Sequence, residues 1–325
     1  MLRRLIYFLL IMISVKLVFV FFTNQLLPDP RRDIDSKLKL MKAFKPNTVF
    51  IGTSRTLFGI DPEYFDSLSN YHTRSYNLGL LSLSPASSLQ IAEKLLHQED
   101  EIDHIFIELS ALDFNTTLLR PSNSWEELCF RINMYSKISI YNTKQKLTFF
   151  LNALNLAVFR SLLITGEIVK IKKYFSPPND PIEGQSNIEN EGNQLVGESI
   201  STKSEILEKN RISTLAFFEA GENKSKNEFF VSKINHLIAL AKSKNRTLLF
   251  YIPNKFTENE RVILQDVIGY IPLKNRAMPR VATYKDSLFE LNHLFDDHHL
   301  NSKGARIYTK MLSASVDSSM QNQYR

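Results

Sequence analysis

Short apolar runs alternate with capped amphipathic segments along this chain, and that alternation restricts the fold more than any other feature. Thr48–Ile51 is an apolar run closed by Gly52, and a run of that length ending at a turn residue reads as a buried strand. "DPEYFDSL" follows, with Asp61 as N-cap and Pro62 at the first helical position. "TRSYNLG" is a second short strand that ends at Gly79. "SPASSLQIAEKLLHQED" then predicts a helix capped by Ser84, with Ala86, Leu89, Ala92, Leu95 and Leu96 on one face. "HIFIEL", residues 104–109, is a third strand. Strands and helices in this order make βαβ units, and those require a parallel sheet in an α/β domain.

The rhythm breaks and then returns. Residues 115–174 hold long apolar–basic segments such as "KLTFFLNALNLAVFRSLLITGEIVKIKKYF", which predict one or two amphipathic helices serving as core, a lid or a surface that touches the membrane, with core or lid the first expectation. Residues 175–205 are poor in large apolar side chains and rich in Pro, Asn, Glu, Gly and Ser, the composition of a loop or disordered insertion. After that, "FFVSKINHLIALAKSKN" carries Phe230, Ile234, Leu237, Ile238 and Ala241 at helical spacing. "RTLLFYIP" is the strand behind it, and a last helix begins near Ser302 with Ile307, Tyr308, Met311 and Leu312 on one side. The expected organisation is a transmembrane segment at 1–24, a linker at 25–45 and one α/β domain at 46–315. That domain is interrupted at about 115–225 and followed by a tail at 316–325.

The N-terminus supports the transmembrane expectation. Arg3 and Arg4 precede residues 5–22, "LIYFLLIMISVKLVFVFF", in which Lys16 is the only charge. A span needs about 20 apolar residues, and 18 falls within the range. No small-residue cleavage site follows, so an uncleaved signal anchor is expected rather than a removed signal peptide. Arg31, Arg32, Lys37 and Lys39 on the far side outnumber Arg3 and Arg4, which by charge alone keeps the body inside. Long domains, however, translocate largely regardless of such charges. Lys16 would snorkel or face a polar group on a membrane partner.

Composition closes off several classes. The net charge of +6 is modest, and the Lys and Arg residues form no stripe interleaved with aromatics, which argues against nucleic acid. A single cysteine, Cys129, excludes an intrachain disulfide framework and a Cys-rich zinc site. No cofactor is expected.

Ligands of open parallel sheets bind beyond the carboxyl ends of the strands. Ser54 stands there after the first strand, Gly79 ends the second, and Ser110 and Asp113 follow the third. "FDDHHLNSKGA", residues 295–305, places Asp296, Asp297, His298 and His299 before the last helix. A serine needs a base to become a nucleophile, and a carboxylate orients the imidazole that serves. Asp296 and His299, three apart on a tight loop, let the carboxylate reach the inner ring nitrogen while the outer one faces Ser54. Oxyanion donors would be the Ser54 N–H and the Gly79 N–H. Other readings stay open. Ser54 could be an N-cap or turn serine, Gly79 a plain turn, and Asp296 a cap beside a surface histidine. Arg55 is either an ion-pair partner or a substrate contact, and Glu108 and Asp113 read as structural. The His293, Asp296–His299 cluster contains zinc-ligand chemistry, but its crowding in sequence speaks against a metal.

A serine after strand one, a glycine after strand two and Asp-x-x-His before the final helix, in that order, resemble the SGNH hydrolase superfamily. Ser54 matches its first-block nucleophile, Gly79 its second-block glycine, and Asp296 and His299 its last block; "HLNSKGA" selects His299 over His298. The resemblance covers 46–115 and 228–315 and implies a flavodoxin-like three-layer sandwich. The third block departs from the family. "IELSALDFN" has Ser110 where an asparagine donor is usual, and Asn115 lies too far along. The donor is therefore absent, replaced by the Ser110 hydroxyl or supplied from the insertion.

"GTSR" and the apolar N-terminus narrow the likeness to membrane-anchored SGNH-like proteins of envelope-polymer acylation, of the alginate acetylation and lipoteichoic acid D-alanylation type. That likeness implies an extracytoplasmic body on the cytoplasmic membrane and a serine esterase or O-acyltransferase acting through Ser54. Its partners would be an envelope polysaccharide or glycan and a multi-span membrane acyltransferase. The alternative is a catalytically weak or inactive accessory protein that docks on such an acyltransferase or on glycan.

Overall fold

The computed structural model describes residues 2–26, 34–81, 83, 85–99, 101–111, 191–197, 224–254, 258–279, 291–296 and 299–320, with a few isolated positions between. Five parallel strands make one sheet in the order β2-β1-β3-β4-β5. They are β1 (Thr48–Gly52), β2 (Ser75–Gly79), β3 (His104–Glu108), β4 (Thr247–Tyr251) and β5 (Arg276–Ala277). Every residue of the first three is buried, as expected for strands covered on both faces. This is the α/β architecture expected from the sequence, and the strand order is that of a flavodoxin-like sheet. The order reverses between β1 and β3, where the register pairs Ile51 with Ile107.

Helices cover the sheet. Helix α5 (Pro85–Gln98) packs on β1 and β3, and α6 (Lys224–Ser243) packs on β4 beside α5 and α7 (Glu258–Tyr270). Leu89, Ala92, Leu95 and Leu96 of α5 are buried as the spacing predicted; Ser84 and the Ala86 side chain lie outside the described residues. Another group joins α3 (Ser54–Gly59), α4 (Pro62–Leu68) and α8 (Ser302–Met320). Asp61 caps α4 by accepting from the Tyr64 N–H at 3.0 Å, with Pro62 at the first position. On α8 the buried stripe is Ala305, Tyr308, Leu312 and Val316, while Ile307, expected on that side, is 36% exposed. Ile307 is one residue, about 100° of helix, from Tyr308, so the inward face is set by Tyr308 and Leu312.

One expectation changes, and a second gains detail. Residues 34–44, read as linker, form helix α2 (Ile34–Phe44), which puts Ile34, Leu38 and Met41 into the core against β2. Pro28 and Pro30 and the mixed charge mark a boundary, but it lies before Ile34 rather than after it. Residues 191–197, read as loop or disordered insertion, run as a strap across the body. Asn77 N donates to Glu191 O (2.8 Å), Gln194 N to Leu57 O (3.1 Å) and Ser302 N to Val196 O (2.9 Å). Gly192 has φ +82°, and a Cβ there would meet Asn77 O at 2.5 Å; glycine is the residue this crossing tolerates. The rest of the 115–225 segment, including its expected helices, lies outside the described residues apart from isolated positions.

Helix α1 (Leu2–Leu26) carries exposed Leu5, Leu9, Ile13 and Val18, with Lys16 buried. Among the described residues no helix is long and apolar enough to cross a membrane; the described side chains of α1 end at Phe19.

Lys37 of α2 is fully buried and its Nζ donates to the Gly79 carbonyl. Burial pushes its pKa well below the ordinary lysine value. Between the folded and ordinary values the unfolded chain binds the extra proton, so stability should rise with pH there. Lys37→Met should abolish that slope. Its gain over wild type, about 1.4 kcal/mol per pKa unit of depression, should shrink towards zero as pH rises to the ordinary lysine value. Thermal unfolding of both proteins across the neutral-to-alkaline range checks this; parallel stability curves would contradict it.

Candidate active site

Ser54 is the first residue of α3, directly after β1. The cap is Thr53, whose Oγ1 accepts from the Arg55 N–H at 3.1 Å, so the capping role once open for Ser54 belongs to its neighbour. The first N–H groups of a helix have no intrahelical acceptor, and the Ser54 N–H is one of them. It lies at the helix start, where partial positive charge gathers.

Just ahead of α8, Asp296 and His299 are drawn together. Phe295 N donates to His299 O (2.9 Å) and His299 N to Asp296 Oδ1 (2.7 Å). Leu294 and Leu300 form an antiparallel bridge around this pair. That leaves Asp296 Oδ2 2.7 Å from His299 Nδ1. The other ring nitrogen, Nε2, is 2.8 Å from Ser54 Oγ. The residues are separated by 245 positions in sequence, yet the structure brings all three into one hydrogen-bonded chain. Phe58, one turn along α3, holds the imidazole edge-on with ring centroids 4.9 Å apart. The strap joins in, because Val196 packs with Leu57, Phe58 and Phe295.

The other expected site residues have different surroundings. The Gly79 N–H donates to Asn77 Oδ1 at 2.9 Å. The same side chain donates through Nδ2 to Thr56 O (2.7 Å) and Ile60 O (3.0 Å). Asn77 thus ties α3 to β2 and occupies the Gly79 donor. Gly79 matters sterically as well, since a Cβ there would lie 2.4 Å from Leu57 N. Ser110 is buried and lines a small cavity with Leu89, Phe230 and Leu264. Asp113, Asn115, Asp297 and His298 lie outside the described residues. Among the described residues no group of three or more His, Cys, Asp or Glu side chains could hold a metal ion.

Arg55 is engaged within the protein. Its Nη2 lies 3.1 Å from Glu108 Oε1 and its Nη1 2.9 Å from Glu260 Oε2. Burial alone would lower its pKa, but the charges of Glu260 and Glu108 outweigh that and raise it. These contacts support the ion-pair reading of Arg55. Breaking such a buried pair by removing one partner typically costs about 3–5 kcal/mol.

Glu108, read from the sequence as structural, holds the turn around Ser54, a partnership the sequence does not show. Its carboxylate accepts from Thr53 N (2.8 Å), Thr53 Oγ1 (2.8 Å), Thr56 Oγ1 (2.5 Å) and Arg55 Nε (3.2 Å). Because the Thr56 hydroxyl proton goes to Glu108, Tyr251, 2.5 Å away, is the donor to Thr56 Oγ1. Burial, then the Glu108 charge, push the Tyr251 phenol well above its ordinary value, which keeps that proton in place. Gly52 makes room for the carboxylate, since a Cβ would lie 2.4 Å from Glu108 Oε2. The available signal was a charge at the end of an apolar strand run, since burying a carboxylate demands donors. Asn77 left a similar signal, being a residue depleted in strands.

No family model, curated protein or solved structure matches the chain.

Proposed function

We propose that the chain is an SGNH-like serine esterase or O-acyltransferase that works through a Ser54 acyl-enzyme. One observation carries this reading: the unbroken hydrogen-bonded chain from Ser54 Oγ through His299 to Asp296 at 2.8 and 2.7 Å. Residues in that arrangement have a defined division of labour. His299 Nε2 takes the hydroxyl proton as Ser54 Oγ attacks the carbonyl carbon of an acyl ester. Asp296 holds the Nδ1 proton and stabilises the imidazolium. The Ser54 N–H, at the start of α3, faces the developing oxyanion. Collapse expels the alcohol, which takes its proton from His299. In the second half a sugar hydroxyl or water gives its proton to His299 and attacks the acyl-enzyme, and that proton returns to Ser54 Oγ.

The acyl group in this proposal is acetyl, and the acceptor is an extracytoplasmic polysaccharide or other envelope polymer. The sequence resemblance to envelope-acylation proteins supports that choice. The apolar length of residues 5–22 supports a membrane anchor, with the body outside the cytoplasmic membrane beside a multi-span acyltransferase. A second reading is favoured by the Gly79 N–H, which is already bonded to Asn77. With that donor engaged the protein would be a slow catalyst, or an accessory that docks on the acyltransferase or glycan. Loss of one oxyanion donor typically costs about 10²–10³ in rate.

A fluorophosphonate probe tests the catalytic reading. The expected result is stoichiometric labelling of the full-length protein at Ser54, absent in Ser54→Ala. An unlabelled, folded wild type would exclude the acyl-enzyme mechanism. A reporter fused after Arg325 should be active outside the cytoplasmic membrane, and a cytoplasmic signal would overturn the placement.

A further inference from the structure

We propose that Glu108 is a positioning residue for the nucleophile, acting on Ser54 through the turn that carries it. This rests on the Ser54 acyl-enzyme reading. Around Ser54, the residues Thr53, Arg55 and Thr56 all send donors to this one carboxylate. Ser54 alone in that turn points its side chain to His299 instead. The "GTSRT" stretch therefore divides its work. Gly52 opens space, three residues bind Glu108, and the fourth is presented to the base.

The anchoring is two-sided. Glu108 sits at the end of β3, which is hydrogen-bonded to β1, so the strand that leads into Ser54 and the carboxylate that holds the turn belong to one rigid sheet. Arg55 extends the hold to Glu260 on α7, and Tyr251 at the end of β4 supports Thr56. Nothing in this arrangement needs Glu108 to touch substrate. Its effect on reaction runs through geometry. An error of about 1 Å in a reacting atom can cost on the order of 100-fold in rate, and a turn held by four or more donors to one acceptor restricts that error. Gln in place of Glu108 would aim an amide N–H₂ at groups that are themselves donors, so part of the turn would be pushed away.

The test is the pH dependence of the fluorophosphonate labelling rate at Ser54 in full-length protein, beside the melting temperature. For Glu108→Gln the plateau rate should fall at least about tenfold. The midpoint of the pH profile should stay where it is in wild type, because the Asp296–His299 pair is untouched. A folded Glu108→Gln protein that labels at the wild-type rate with only a lower melting temperature would reduce Glu108 to a structural residue and overturn the proposal. A shifted midpoint would overturn it too, since that would mean Glu108 acts on the base. If Glu108→Gln does not fold, the comparison moves to Thr56→Val and Thr56→Ser. Valine should slow labelling about threefold or more, while serine, which keeps the hydroxyl, should stay within about twofold of wild type. Equal rates for the two would overturn the proposal. Wild-type protein that is never labelled removes the acyl-enzyme reading and this inference together.

Discussion

His299→Ala should slow labelling of Ser54 by a fluorophosphonate at least about 10³-fold while the protein stays folded. The imidazole is the group within 2.8 Å of Ser54 Oγ that can take its proton. Without it the hydroxyl attacks as a neutral alcohol, a poor nucleophile. The fold should tolerate the change because the loop is held mainly by backbone contacts, from Phe295 N to His299 O and from Asn301 N to His293 O. The loss of the edge contact with Phe58 is a local matter. Asp296→Asn should fall in the same direction by about 10²–10⁴, since an amide can present the wrong tautomer to the ring. Labelling kinetics on both variants, with circular dichroism as the fold control, check the expectation. A His299→Ala protein that labels within tenfold of wild type would mean that His299 is not the base.

Gly79→Ala should destabilise the protein strongly, by about 3 kcal/mol. The added methyl would meet Leu57 N at 2.4 Å, Leu57 Cα at 2.8 Å and Asn77 Oδ1 at 2.8 Å. Two of these are backbone atoms of α3, which cannot rotate away as a side chain can. Relief requires α3 to lift from β2, and Ser54 would move with it. The variant should therefore lose Ser54 reactivity along with stability, although no catalytic side chain has changed. Gly269→Ala on α7 is the matched control. Nothing lies within 4 Å of its added methyl, so a gain of up to about 1 kcal/mol is expected there from helix propensity. Denaturant unfolding of the two variants separates them, and similar stabilities would refute the packing account of Gly79.

Much of the fold was legible because buried parallel strands leave a strong local mark. β1, β3 and β4 are apolar runs with turn residues beside them, and Asp61–Pro62 announces a helix start in two letters. Helix α2 was missed for the opposite reason. "IDSKLKLMKAF" mixes Lys with its apolar residues, and it sits behind a Pro-containing stretch, so it looks like linker until β2 offers a surface for Ile34, Leu38 and Met41. The strap at 191–197 left almost no mark in the sequence. It is held by backbone hydrogen bonds to Asn77, Leu57 and Ser302, and backbone groups are the same in every residue. Gly192 was the one local hint, and a lone glycine in a Gly- and Asn-rich stretch carries little weight.

At the site the division runs between residue identity and residue partnership. The sequence by itself determined that a serine follows a strand, at a sheet end where ligands bind, and that Asp296 and His299 stand three apart just before the last helix. Those are short-range facts, governed by spacing along one segment. Only the tertiary structure decided what each polar group faces. It turned His299 towards Ser54 across 245 positions. It assigned the Gly79 N–H to Asn77 rather than to an oxyanion. It closed Arg55 between Glu108 and Glu260. A hydrogen bond depends on distances of about 3 Å and on direction, and between segments far apart in the chain those are fixed only when the helices and sheet have packed.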